Sequence, residues 1–133
     1  MTTIKSKTVT VNSSGEEIKN FFSDLNKLEK LMPQDRIENW ESTEETCSFS
    51  IKGLATIGMK REDADASKVK LVSHGKNPFP FTLSIIMSDN GESTSDCYVE
   101  FEGKMNAMLS MMAKQPLTNF FNMLVDELKA INE

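Results

Sequence analysis

Residues 115–133, QPLTNFFNMLVDELKAINE, decide the fold of this chain. Leu117, Phe120, Phe121, Leu124, Leu128 and Ile131 recur at the three-and-four spacing of one helical face, with Val125 on its flank. Thr118, Asn122, Asp126, Glu127 and Lys129 take the remaining surface. Pro116 suits a first turn, where its missing N–H would have no partner in any case, so the spacing predicts a helix from Gln115 onward. An apolar stripe this broad must be buried against something, and most of what precedes it reads as short strands. The expectation is an α+β domain with a long carboxy-terminal helix lying across a curved sheet.

Working back from the helix, the strand pattern has period two. Cys97, Val99 and Phe101 alternate with Tyr98, Glu100 and Glu102; Phe79, Phe81, Leu83, Ile85 and Met87 share one face of a long strand; Asn90-Gly91 between them is a hairpin signal. Val69 and Leu71 alternate with Lys68 and Lys70, and residues 74–78, HGKNP, form a loop. Ile57 and Met59, then Cys47, Phe49 and Ile51, mark two further half-buried strands joined at Lys52-Gly53, and residues 36–43 make another. Residues 61–66, REDADA, read as an acidic connection without the ligand spacing or glycine of a calcium loop. Residues 3–12 read as a first strand with Val9 and Val11 inward. Between the two strand regions, Ser14 and Glu17 form a capping box, and an apolar face runs from Ile18 to Met32. Ser23 or Asp24 can cap a second short helix there. Six sequential strands with short turns imply an antiparallel meander, about seven strands with the first included.

At 133 residues, with 38% hydrophobic and 26% charged residues, the chain is expected to form a single domain over 1–133. A formal charge of −5 without a basic cluster argues against nucleic acid. No apolar run approaches a membrane span, and the first residues lack a secretory apolar region, so a cytoplasmic location is expected. Cys47 and Cys97 have no metal or redox spacing and are expected to be buried thiols; no cofactor or metal is implied.

Three stretches carry a family resemblance: SSGEEIKNFFSDLNKLEKLMP (13–33), WESTEETCSFSIKGLATIGMK (40–60) and MNAMLSMMAKQPLTNFFNMLVDELK (105–129). With the order of elements, they resemble the helix-grip superfamily of START-related and birch-pollen-allergen-like domains, also grouped as SRPBCC or polyketide cyclase/dehydrase-like. The likeness is closest to small bacterial members without an assigned activity. It implies a sheet wrapped on the long helix, two short helices after the first strand, and an apolar cavity between sheet and helix. A small apolar ligand, lipid-like or aromatic, is the implied partner. Superfamily members also include cyclase or dehydratase enzymes and chaperone activators, so the fold alone does not choose a function.

Within that frame Phe49, Ile57, Met59, Phe79, Phe81, Leu83, Ile85, Phe101, Phe120 and Leu124 are the expected lining of the cavity. Met105, Met108 and Met112 fit one helical face with Leu109 and are expected to join it, either as an adaptable wall or as gap-filling core, with Met111 off that face. Trp40 either covers the cavity entrance or packs on its strand. An enzyme would need inward titratable groups. His74, the only histidine, reads as a loop residue, and the inward positions are almost all apolar. A partner-binding domain would instead present an exposed apolar patch near Met111 and Met123.

Overall fold

Short connections after the first strands force each strand to pair with its predecessor, and the result is one antiparallel sheet. The computed structural model describes residues 1–133. Its strands are β1 (Thr2–Lys5), β2 (Val9–Val11), β3 (Ile37–Ser42), β4 (Thr46–Ile51), β5 (Ala55–Ala64), β6 (Lys68–Ser73), β7 (Phe81–Asp89) and β8 (Ser95–Gly103). The sheet order is β1-β8-β7-β6-β5-β4-β3, with β2 also paired to β8. Two helices complete the fold, α1 (Gly15–Phe21) and α2 (Ala107–Ala130), with a 3₁₀ segment at Leu25–Leu31. α2 packs on β1, β2, β8 and the 3₁₀ segment, and 30 buried hydrophobic residues form one continuous core between helix and sheet.

The short helical connection forms as its caps dictate. Ser14 accepts from the Glu17 N–H while Glu17 reaches back to the Ser14 N–H, and Asp24 accepts from the Asn26 N–H at 3.0 Å. Gly53, at φ 77°, turns the chain between β4 and β5, and Gly91, at φ 79°, lies in the five-residue connection 90–94.

Four boundaries differ from the sequence reading. The first strand is two, because Ser6 interrupts it. Its hydroxyl accepts the Val99 N–H at 2.8 Å, and the next N–H, of Lys7, goes to the Asn122 side chain at 2.8 Å. The break changes parity, so Ile4 turns inward in β1 and Val11 in β2. β5 does not stop at Lys60. A bulge between Arg61 and Asp63 lets it run to Ala64, and Arg61 anchors that end by donating to the Ser23 carbonyl at 2.6 Å. The acidic connection therefore shrinks to residues 65–67. There Asp65 accepts from the hydroxyl and N–H of Ser67 and from the Lys68 N–H, and these bonds, the Ser67 hydroxyl first, hold its carboxyl below the ordinary range. β7 begins at Phe81, leaving Phe79 and Pro80 in the preceding loop.

The fourth difference matters most. α2 begins at Ala107, capped by Asn106, whose Oδ1 accepts the Leu109 N–H at 2.8 Å. Pro116 is then an interior residue, and the Met112 carbonyl four residues earlier has no N–H to meet there. At the other end Ile131 lies just past the last turn and is 44% exposed.

Candidate ligand-binding site

Aromatic rings occupy the space between α2 and the sheet. Trp40 stacks on Phe49 at 5.5 Å, and Phe49 stacks on Phe120 at 6.0 Å. Phe120 meets Phe121 at 6.0 Å, Phe121 meets Phe101 at 5.6 Å, and Phe101 stacks on Phe81 at 5.4 Å. This chain of contacts crosses from β3 and β4, over the helix, to β8 and β7. It leaves a space of about 10 Å³, the least that one water molecule needs. All eleven residues around that space are hydrophobic, so none of their side chains can donate or accept a proton.

A second apolar space, of about 50 Å³, lies nearer the surface. It is lined by Leu54 from the turn before β5, Ala55 and Ile57 from β5, Pro78 and Phe79 from the loop before β7, and Leu109, Ala113 and Leu117 from α2. Ile57 borders both spaces. The roof over the outer one is the first part of α2, residues 107–115. Only Ala113 of that stretch is buried, against Leu117, Phe120, Phe121, Leu124, Val125 and Leu128 in the remainder. Besides its packing, the roof has one side-chain tie to the sheet, from the Thr2 hydroxyl to that of Ser110 at 2.8 Å.

The structure places Phe49, Ile57, Met59, Phe81, Leu83, Phe101, Phe120 and Leu124 around the inner space, and Phe79 beside the outer one. Ile85 is buried but borders neither. Met105 is half-buried against the core. Met108 and Met112 do not face the interior: they are 73% and 66% exposed, alongside Met111 at 83%. The three form one outward face at i, i+3 and i+4. Running the buried stripe back through Pro116 explains this, since Leu117 minus four and minus eight gives Ala113 and Leu109. Ala113 escapes the sequence reading because Pro116 reads as a helix start, Leu109 is read there only as a companion of the methionines, and Leu54 lies in the turn before β5, where strand alternation gives no signal.

Trp40 is half-buried, its indole N–H donating to the Ser42 hydroxyl at 3.1 Å while the ring covers Phe49. His74 is exposed and borders, with Glu41, Thr56 and Lys76, an open polar groove on the outer face of the sheet. No hydrogen bond joins Glu41, His74 and Lys76, so the groove presents no assembled acid–base pair. No group of His, Cys, Asp or Glu residues is placed to hold a metal ion.

Both thiols are buried and unpaired. Desolvation pushes each up to about 12, helped at Cys97 by the charge of Asp96. Native protein should therefore react with a thiol reagent at least tenfold more slowly than denatured protein; equal rates would show that the sheet opens readily. Burial favours the neutral thiol in the folded state, so the unfolded chain loses those protons first as pH rises. Stability from this source is complete below the ordinary value of 9.0 and declines as pH climbs towards about 12.

No protein-family model matches the sequence, and no curated protein matches it significantly. Solved structures do. A START superfamily protein from Mycobacterium smegmatis is 15% identical, with a TM-score of 0.68 over 99% of this chain and 97% of that one. Truncated norcoclaurine synthase from Thalictrum flavum is 15% identical, with a TM-score of 0.72 over 97% and 91%. XoxI from Bacillus cereus is 14% identical, with a TM-score of 0.74 over 99% and 96%. The fold is the helix-grip shared with these structures. Identities this low carry the fold and nothing finer. In the helix-grip frame, the inner and outer spaces lie where sheet and long helix face each other. No helix of the chain is long and apolar enough to cross a membrane.

Proposed function

We propose that this helix-grip chain binds a small apolar ligand, lipid-like or aromatic, between the sheet and the first part of α2. The observation that carries the reading is the roof. An apolar space lies under a helical segment with one buried residue, and that segment is separated from the well-anchored remainder by an interior proline. The two spaces, about 50 and 10 Å³, fall far short of the roughly 300 Å³ of a small-molecule pocket, so binding requires residues 107–115 to move outward. Pro116 marks the place where such a bend has the least helical hydrogen bonding to break. Phe79, Ile57 and Leu117 would then be the first walls a ligand meets, and Phe81, Phe101 and Phe120 the deeper ones.

Ala113→Val tests this without touching the surface. The added methyl groups point into the outer space, so the fold should keep its melting temperature or gain a little, because a cavity is filled. Affinity for an apolar fluorescent probe should fall at least tenfold. Unchanged affinity with an unchanged fold would place the probe elsewhere and refute the site.

A further inference from the structure

The strand connections at the two ends of the sheet carry opposite charge. At the end where α2 begins, the connections 52–54, 74–80 and 104–106 contain Lys52, Lys76 and Lys104 and no acid. At the other end, the connections 43–45, 65–67 and 90–94 contain Glu44, Glu45, Asp65 and Glu92 and no base. The first part of α2 adds Lys114, also without an acid; the first carboxylate along that helix is Asp126. All four lysines are exposed and none is in an ion pair, while the Asp35–Arg36 pair near the same end, 3.9 Å apart, adds no net charge. Met108, Met111 and Met112, the largest exposed apolar side chains of the helix, lie on this same end, beside the outer apolar space.

We infer that this end docks on an anionic lipid bilayer, with the three methionines entering the headgroup layer and the four lysines above the lipid phosphates. Two features favour a bilayer over a protein partner. The lysines stand on four separate segments as mobile point charges, which a fluid anionic surface can meet without matched geometry. The methionine face is the outward side of the weakly held roof itself, so a ligand entering there would pass from lipid to protein without crossing water. That consequence rests on the apolar-ligand reading; the docking itself does not. In this orientation the carboxylates of the connections at the far end, Glu44, Glu45, Asp65 and Glu92, are held away from the lipid phosphates.

Flotation with phosphatidylglycerol/phosphatidylcholine vesicles tests the inference on the whole protein. Binding is expected to anionic vesicles, to weaken strongly between 0.1 and 0.5 M salt as the Debye length shrinks from about 10 Å to about 4 Å, and to be absent with pure phosphatidylcholine. Lys52→Gln, Lys76→Gln, Lys104→Gln and Lys114→Gln combined should lower the partition coefficient by several hundredfold, given about fivefold per lysine. Met108→Ser, Met111→Ser and Met112→Ser combined should lower it several-fold with an unchanged melting curve. No binding to anionic vesicles, or binding indifferent to both variants, would overturn the proposal. Capture of an acidic amphipathic peptide by a protein that ignores vesicles would overturn it in favour of a protein partner. Vesicle binding with no probe binding in lipid-free buffer would refute the ligand site and leave the docking standing; the reverse result would do the opposite.

Discussion

Phe121→Ala is expected to cost about 3–5 kcal/mol of folding stability, the range for deleting a buried aromatic ring whose site cannot collapse. Phe121 is 4% exposed and sits between Phe101 and Phe120, bordering the inner space. Truncating it enlarges a void already ringed by rigid rings on strands, so relaxation is limited. Urea denaturation should show the loss as a lower midpoint with little change in slope. Its neighbour Asn122 is not neutral, although it lies on the polar side: it accepts the Lys7 N–H at the break between β1 and β2. Asn122→Ala should cost about 0.5–1.5 kcal/mol, and Met111→Ser, on the exposed face, under about 0.5 kcal/mol. Equal losses at Phe121 and Met111 would contradict the placement of the helical face.

Pro116→Ala should have the opposite sign. A proline in a helix interior is about 3 kcal/mol less favourable than alanine, and alanine would return the N–H that the Met112 carbonyl lacks. Part of the gain is offset because proline also restricts the unfolded chain, so a rise of about 1–2 kcal/mol is expected. The stiffened helix should hold residues 107–115 closed and slow apolar probe binding at least tenfold. A more stable variant that binds the probe as fast as the parent would remove the hinge from the account. A less stable one would show that the helix needs the proline for its packing.

That proline also explains what the sequence revealed and what it hid. The helical face from Leu117 to Leu128, the alternation at Cys47-Phe49-Ile51 and Cys97-Val99-Phe101, and the capping box at Ser14 were all legible, because each rests on local periodicity or chemistry. Pro116 favoured a helix start, since nothing local distinguishes a first-turn proline from an interior one. With the helix begun there, the phase of residues 107–115 was set separately, and Met108 and Met112 were turned inward in place of Ala113. The break at Ser6 was hidden for a different reason: it depends on partners, Val99 and Asn122, that are remote in sequence. The bulge near Glu62 likewise depends on where Arg61 finds its carbonyls. The volume left between the rings follows from side-chain packing, which no one-dimensional pattern contains.

Trp40, the only tryptophan, reports directly on the central claim that this interior opens to an apolar ligand. Its ring lies on Phe49, which lies on Phe120, so entry of a ligand beside those rings must alter its surroundings. Titrating the native protein in lipid-free buffer with a long-chain fatty acid, and separately with a polycyclic aromatic, should change Trp40 emission along a one-site isotherm for at least one of them. At a ligand concentration 100 times Kd the fold should gain about 2.7 kcal/mol, seen as a raised Tm. Emission and Tm both indifferent to either ligand, in protein that remains folded, would contradict the claim and leave the domain a solid one.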